Sequence, residues 1–475
     1  MGAFFTAFSQ LPDRRAAART QPMAQDRAAD AARARRAVAL DPRDRVSWHN
    51  LAAAEGDLGN AREAERAAQR ALELGIPAPE TRLVLARALQ DLNRLDEAER
   101  MFEEALALRP TYVEAHRDLA QLRWMRTGQV HAALKSLDAA LLHAPDQVRL
   151  HGVRSVALEF LGDNVGALAS AEAGLERAPQ DLQLLRQASH LCAQMEQAER
   201  AVDLASLAAA LAPEALPVQL TLCEALLAAG ELRQAEALAE RIRAIDPLDQ
   251  HAIALRATVW RLRGDLRYET LYDYRQLVGT EILEAPKGWS NLSNFLDELA
   301  SDLAGLHRYR THPFQQSVRG GGQLPLNARE MSRPSVRALF ASFHDAVQRY
   351  LARLGSGGDP FRSRNTGQFS VAGAWSVRLL SGGYHTDHVH QRGWLSSAFY
   401  VALPPVIRAE DDKRAGWFRL GRPGIATTPR LDADHYIAPQ PGKLLLFPSY
   451  MWHGVEPFES EKPRLTVAFD ALPQA

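Results

Sequence analysis

A proline recurs at nearly constant intervals through the first half of the sequence, and the intervals are 33 to 35 residues long. The prolines close phrases such as "ALDP", "ALRP" and "AIDP", at Pro42, Pro77, Pro110, Pro145, Pro179, Pro213 and Pro247. A period of this length is typical of solenoids, in which one supersecondary unit is repeated and stacked. We therefore expect the first half of the chain to be a stack of similar units.

Each unit has the pattern of two helices joined by a turn. In the first complete unit, Trp48 lies near the start of one helix and Gly59 lies at the turn. Small residues then line the second helix, at Ala64, Ala68 and Ala71. Small side chains let two helices approach closely, and the proline that follows ends the second helix. The pattern predicts repeated helical hairpins.

This pattern resembles the tetratricopeptide repeat over residues 30–270, in about seven units. The resemblance implies an α-solenoid whose concave groove binds a protein or peptide partner. A spacer that binds no ligand is the alternative for this region.

Composition excludes several classes of protein. The hydrophobic fraction of 46% and charged fraction of 24% are ordinary for a soluble globular protein, and the net charge is −1. We therefore expect no nucleic-acid partner and no membrane partner, because no global charge attracts either and no apolar run reaches the length of about 18 residues that spans a bilayer. The N-terminus lacks a secretory pattern, so we expect a cytoplasmic protein. The two cysteines, Cys192 and Cys223, are expected to be small buried residues, too few for a disulfide framework.

The repeat rhythm ends near residue 270. Helices are predicted near 290–307 and 332–354, with a glycine-rich loop at 312–325 between them. Short apolar or alternating runs then predict the strands of a sandwich or barrel, at 375–380, 394–403, 416–421, 442–448 and 464–472. The expected domains are an N-terminal extension (1–29), a repeat array (30–270), a linker with supporting helices (271–360) and a β core (361–475).

Four candidate metal ligands lie in the stretch "GGYHTDHVHQRGW", at His385, Asp387, His388 and His390. Side chains of a strand alternate between two faces, so His388 and His390 share one face and His385 and Asp387 share the other. A single metal ion cannot use both pairs if the strand is regular. Either pair could supply two ligands, and the choice stays open at this point.

Three residues nearer the C-terminus complete the candidate site. His453 follows a predicted strand and is the best distant metal ligand. Arg464 and Thr466 lie two residues apart on a later strand and therefore share a face. An arginine beside a hydroxyl is a good clamp for a carboxylate, because its guanidinium group forms bidentate hydrogen bonds.

This constellation resembles the Fe(II)/2-oxoglutarate-dependent dioxygenases, and "HVHQRGWLSSAFYVALP" is most similar to a subgroup with His-x-His. The resemblance implies a double-stranded β-helix, or jelly roll, with flanking helices. It implies that His388, His390 and His453 bind Fe(II), and that Arg464 and Thr466 bind 2-oxoglutarate. His390 occupies the position of the family's usual carboxylate ligand, which is a departure from the two-histidine, one-carboxylate set.

The expected protein is therefore an α + β multidomain enzyme, a hydroxylase whose repeats dock a protein or peptide. No catalytic residue is expected beyond the metal site. Two alternatives stay open. A cupin-type metalloprotein fits the spacing from Gly382 to His390, although the cupin glutamate is missing and Arg464 would have no role there. A repeat-based scaffold with a degenerate β-domain is the other alternative.

Overall fold

A computed structural model of the chain describes residues 20–75, 77–326 and 328–474. Residues 1–19 of the predicted N-terminal extension lie outside the described residues, and the first described helix covers Thr20–Leu40. The chain divides into two compact units. The first contains residues up to 124 together with 129–157, and the second contains residues 125–128 and 158–475.

Antiparallel helix pairs form the repeat array. The first helices of successive pairs begin 34 or 35 residues apart, which confirms the period of the prolines. The helices are α1 (Thr20–Leu40), α2 (Arg45–Asp57), α3 (Ala61–Glu73), α4 (Pro79–Asp91), α5 (Leu95–Leu108), α6 (Val113–Thr127), α7 (Val130–His143), α8 (Val148–Phe160), α9 (Asn164–Leu175), α10 (Leu182–Gln194), α11 (Ala198–Leu211), α12 (Leu216–Ala228), α13 (Leu232–Ile245) and α14 (Gln250–Leu262).

The same hydrogen bond recurs in three repeats, where it links the turn before a helix pair to the first helix of that pair. Ring N–H groups of Trp48, His116 and His151 each donate to the carbonyl of the proline six residues earlier, at 2.8–2.9 Å. The last carbonyls of a helix and its turn lack helical partners, so these ring donors satisfy a group that would otherwise depend on water. The aromatic residue at this position of the repeat therefore has a structural role.

The two cysteines are buried and free, as the sequence predicted. Among the described residues, no helix has both the length and the apolar character needed to cross a membrane.

The C-terminal region is a curled antiparallel sheet with flanking helices, which confirms the predicted fold class. Its helices are α15 (Arg267–Leu271), α16 (Tyr274–Leu277), α17 (Leu292–Ala304), α18 (Ala328–Met331) and α19 (Pro334–Leu354). Its strands are β1 (Gly279–Ile282), β2 (Val318–Pro325), β3 (Phe369–His388), β4 (Leu395–Ala402), β5 (Phe418–Leu420), β6 (His435–Ile437), β7 (Lys443–Pro448), β8 (His453–Val455) and β9 (Arg464–Pro473).

The long strand β3 joins the two parts of the sheet. The strand order is β1-β7-β4-β9-β3-β8-β5-β6, and β2 also pairs with β3. The first part of β3 pairs with β9, and its last residues pair with β8. Gly382 lies between these segments with φ +72°, a conformation that glycine adopts without strain. One strand thus carries the chain from one layer of the jelly roll to the other.

The glycine-rich segment 312–325 contains a strand, so the prediction that it is a loop is wrong. Residues Val318–Pro325 form β2 and pair with β3. Gly320 has φ +64°, and a Cβ atom on Gly321 would collide with the carbonyl oxygen of Arg378 on β3. The glycines therefore allow a bulged, close strand pair instead of interrupting the strand.

One hydrophobic core of the second unit extends from the last repeat helices into the sheet. It includes Leu255 and Trp260 of α14 and continues to Phe343 of α19. The Phe343 ring lies 5.3 Å from that of Phe399 on β4 and 5.0 Å from that of Phe469 on β9. The sequence pattern changes near residue 270, but the core passes through this point without a break.

Candidate metal centre

Three histidines converge where β3 meets β8. His388 is the last residue of β3 and pairs with His453, the first residue of β8. His390 follows two residues after the end of β3. One ring nitrogen from each of the three lies within 4.8 Å of those of the other two. Among the described residues, no other group of three or more histidine, cysteine, aspartate or glutamate side chains lies close enough together to hold one ion.

Each of the three imidazoles has an acceptor at Nδ1. Nδ1 of His388 donates to the Thr386 carbonyl at 2.8 Å, and Nδ1 of His453 donates to the Met451 carbonyl at 2.9 Å. Nδ1 of His390 donates to the carboxylate of Asp470 at 2.6 Å. A carbonyl can only accept, so the bonds of His388 and His453 place their ring protons on Nδ1 and leave Nε2 as the lone-pair nitrogen. Histidines that bind metals are commonly oriented in this way.

The Nε2 atoms of His388 and His390 lie 3.2 Å apart. Two lone pairs at this distance repel each other unless a cation, either a proton or a metal ion, lies beside both. Two imidazole nitrogens bound at right angles to one ion, each about 2.1 Å from it, would lie about 3.0 Å apart. The observed separation therefore fits two neighbouring ligands of one metal ion.

The surroundings keep the imidazoles of His388 and His453 neutral. Burial, together with the neighbouring His390, lowers the pKa of His388 to about 3. Burial and the neighbouring His388 hold the pKa of His453 well below its usual value. Only the neutral ring has a free nitrogen lone pair, so both residues are in the form that binds a metal.

The structure separates the two members of the alternative ligand pair. Asp387 accepts hydrogen bonds from Nε of Arg419 at 2.8 Å and from Nε of Arg422 at 2.6 Å. The ring of His385 lies 6.1 Å from that of His388, and its Nδ1 lies 3.1 Å from Oγ of Ser317. The carboxylate is therefore engaged by two arginines, away from the three histidines.

The prediction that His385 lies on the opposite face from His388 is wrong. Between the paired positions, β3 has two residues where β8 has one, and this bulge changes the alternation of side chains. The side chain of His385 consequently lies beside the histidine cluster.

Asp470 is a site residue that sequence reasoning missed. It lies on β9, and Oγ of Ser396 also donates to its carboxylate at 2.8 Å. A signal was available, because Asp470 is four residues after Thr466 and six after Arg464 and therefore faces the same side of the strand. A carboxylate on this face of an apolar strand was a candidate partner for an imidazole.

We expect Asp470→Ala to weaken the binding of a divalent metal by about 10- to 100-fold, because Nδ1 of His390 loses its acceptor. Asp470→Asn should have a smaller effect, since the amide oxygen can still accept but carries no charge. Isothermal titration with Mn(II) compares the two variants with the wild type. Equal affinity in all three would show that His390 does not depend on Asp470.

A second group of polar side chains forms a buried cationic site. Arg464 and Thr466 lie on β9 and are buried, and Tyr400 on β4 is paired in register with Thr466. The guanidinium carbon of Arg464 lies 5.2 Å from the centre of the Tyr400 ring. Among the described residues, the guanidinium group of Arg464 interacts with the hydroxyl of Tyr400, while its Nε has no hydrogen-bond partner. The sequence predicted Arg464 and Thr466, but not Tyr400.

Arg464 also lacks a compensating carboxylate among the described residues. Burial lowers its pKa, and the group that opposes this effect is Tyr400 rather than an acidic side chain. Its charge is close enough to His385 to lower the pKa of that imidazole, after the larger effects of burial and His388. A buried cation without a neighbouring anion destabilises the folded protein, so this site is suited to binding a carboxylate ligand.

Two family models match separate parts of the chain. Residues 93–156 match the tetratricopeptide repeat family. Residues 373–470, which include both candidate sites, match the family described as "Putative 2OG-Fe(II) oxygenase". No curated protein sequence matches the chain.

Several solved structures are similar to part of the chain. A tetratricopeptide repeat protein from Parabacteroides merdae is 15% identical over 49% of this chain and 91% of its own, with a TM-score of 0.37. A thermophilic repeat protein from Thermus thermophilus is 25% identical over 39% of this chain and 99% of its own, with a TM-score of 0.30. A chain of the Cut9–Hcn1 hetero-tetramer of the APC/C is 14% identical over 50% of this chain, with a TM-score of 0.36, and this chain covers 46% of its length. From the two family matches, the chain carries a tetratricopeptide repeat region followed by a domain of the 2OG-Fe(II) oxygenase family.

Proposed function

We propose that this protein is an Fe(II)/2-oxoglutarate-dependent oxygenase that hydroxylates its substrate. The observation that carries the proposal is the joint presence of two complementary sites in one domain. Ring nitrogens of three histidines lie within 4.8 Å of one another, and among the described residues the buried guanidinium group of Arg464 has no carboxylate partner.

His388, His390 and His453 would hold the iron. Imidazole nitrogens suit Fe(II), and three of them on one side of the ion leave room for other ligands. When bound, iron with 2-oxoglutarate supplies the oxidising chemistry, and the protein supplies orientation and a shielded site. The set has no carboxylate ligand. Asp470 partly compensates for the negative charge that a carboxylate ligand would supply, because its carboxylate oxygen lies 2.6 Å from Nδ1 of His390.

Arg464, Thr466 and the newly identified Tyr400 would bind 2-oxoglutarate. The carboxylate remote from the metal would accept hydrogen bonds from the guanidinium group and the two hydroxyls. Nε of Arg464, which makes no hydrogen bond to the described residues, would then have a partner. The need for an anion at this position distinguishes the proposal from a cupin-type protein and from a degenerate scaffold.

The repeats would dock a protein or peptide, which is a common role of such arrays. The substrate would then be that protein or a segment of it. We also propose a cytoplasmic location, where the two buried free cysteines stay reduced.

Turnover of 2-oxoglutarate tests the proposed function. Purified full-length chain, supplied with Fe(II), ascorbate and oxygen, is expected to convert 2-oxoglutarate to succinate slowly even without substrate. Succinate is measured by mass spectrometry, and His453→Ala serves as the control. Absence of succinate above this control, together with no binding of 2-oxoglutarate to the metal-loaded chain, would refute the proposed activity.

A further inference from the structure

The last repeat helix, α14, contacts the residue that follows one proposed metal ligand. Gln391 is the neighbour of His390, and its carbonyl accepts a hydrogen bond from the backbone N–H of Gln250 at 3.3 Å. Its side-chain amide donates to Nδ1 of His251 at 3.1 Å. Gln250 and His251 are the first two residues of α14, which Asp249 caps. The first residues of α14 therefore fix the backbone next to His390.

The same helix holds the residue before a second ligand. Trp452 precedes His453, is buried, and donates from its indole N–H to Oγ1 of Thr258 at 3.0 Å. Its ring meets that of His251 edge to face, with centroids 5.6 Å apart. The backbone N–H of Trp452 donates to the hydroxyl of Tyr272, which follows α15. The orientation of the segment before His453 is therefore defined by the end of the repeat array.

The third proposed ligand, His388, is connected less directly to another repeat helix, α12. Asp387 precedes His388 and accepts a hydrogen bond from Arg422. A few residues later, Thr428 donates from its backbone N–H to the Leu227 carbonyl at 3.0 Å, and from Oγ1 to the Ala228 carbonyl at 2.6 Å. The segment that braces His388 is therefore anchored on the last turn of α12.

We infer that Thr258 is a positioning residue of the metal centre, and that α14 is a structural part of that centre rather than of a separate docking module. The inference rests on the proposed metal site and deepens it. Thr258 donates its own hydroxyl proton to the Ala254 carbonyl at 2.9 Å, which fixes its oxygen as the acceptor for Trp452. Because Trp452 and His453 are adjacent in the chain, the position of the Trp452 ring constrains the backbone that carries His453.

Loss of the Thr258 hydroxyl should weaken metal binding without removing any ligand. Thr258→Val keeps the branched shape, but it leaves the buried indole N–H of Trp452 without an acceptor, so the ring is expected to shift. Residues that orient metal ligands typically change affinity by about 10- to 100-fold when replaced. We expect the lower end of this range, about tenfold, because His453 retains its bond to Met451.

Titration of the full-length chain with Co(II) tests the inference, because the visible bands of Co(II) report the geometry of its ligands. Thr258→Val should bind Co(II) about tenfold more weakly and with shifted bands, and Thr258→Ser should restore both. Thr221→Val is the matched control, since Thr221 is also buried and donates to the carbonyl four residues earlier, but it bonds Arg186 instead of the metal-site segment. This control should resemble the wild type.

A double-mutant cycle tests the route through the indole and remains informative if Thr258→Val folds poorly. Trp452→Phe removes the donor while keeping Thr258, and it should reproduce the band shift. Adding Thr258→Val to it should cause no further loss of affinity. Unchanged affinity and bands in Thr258→Val, or additive effects in the double variant, would overturn the inference. If the wild type itself binds no Co(II), the proposed metal site fails as well.

Discussion

Replacing His453 by alanine is expected to abolish the binding of Fe(II) to the chain. His388, His390 and His453 each offer one ring nitrogen to the proposed metal site, and loss of any one leaves two of its three proposed ligands. The effect should exceed the factor of about 100 that marks the loss of an orienting residue. Anaerobic equilibrium dialysis with Fe(II), followed by metal analysis of the protein, measures it. His388→Ala and His390→Ala should give the same result.

Asp387→Asn provides the control within the same segment. This carboxylate pairs with Arg419 and Arg422 and is proposed to make no contact with the metal. We expect Fe(II) affinity close to that of the wild type, with a free energy of unfolding lower by about 3 kcal/mol because the buried Arg419 loses part of its compensation. Loss of iron from Asp387→Asn, with retention of iron by His390→Ala, would show that the ligand assignment is wrong.

Replacing Arg464 by methionine is expected to abolish the binding of 2-oxoglutarate while leaving metal affinity unchanged. Removing one partner of a buried, hydrogen-bonded charge pair costs about 2–5 kcal/mol of binding free energy, which is a loss of about 30-fold or more. Titration of Mn(II)-loaded protein with 2-oxoglutarate measures the affinity, and titration of metal-free protein with Mn(II) checks the metal site. Binding of 2-oxoglutarate at wild-type affinity would contradict the role of Arg464.

Arg464→Met should also stabilise the protein in the absence of 2-oxoglutarate. A buried guanidinium group without an anionic partner is a cost to folding, and an apolar side chain removes it. Arg419→Met is the matched control, because Arg419 is equally buried but pairs with Asp387 and Glu456. Thermal unfolding should give a higher Tm for Arg464→Met and a lower Tm for Arg419→Met. A lower Tm for both would show that Arg464 already has a partner in the folded protein.

The sequence predicted those features that repeat or lie close together along the chain. The interval between prolines predicted the helix pairs, because each unit repeats the same local contacts. The spacing from Gly382 to His390 and the position of Arg464 before Thr466 indicated the family and its candidate residues. Each of these patterns is local, so it can be recognised without knowledge of the tertiary structure.

The remaining features depend on the tertiary structure. Alternation along a regular strand separated His385 from His388, whereas a bulge opposite β8 brings their rings together. The triple glycine at 320–322 suggested a loop, but it allows β2 to lie close to β3. The proposed roles of Tyr400 and Thr258 rest on strand pairing and packing between residues far apart in the sequence, which no local sequence pattern shows.

The most direct test of the central claim is a crystal structure of the full-length chain with Fe(II) and 2-oxoglutarate, prepared without oxygen and measured at the iron absorption edge. We predict one anomalous peak about 2.1 Å from Nε2 of each of His388, His390 and His453. The remote carboxylate of 2-oxoglutarate should lie within hydrogen-bond distance of Arg464. An iron peak at another position, a carboxylate of Asp387 among the ligands, or 2-oxoglutarate bound away from Arg464 would contradict the proposed site.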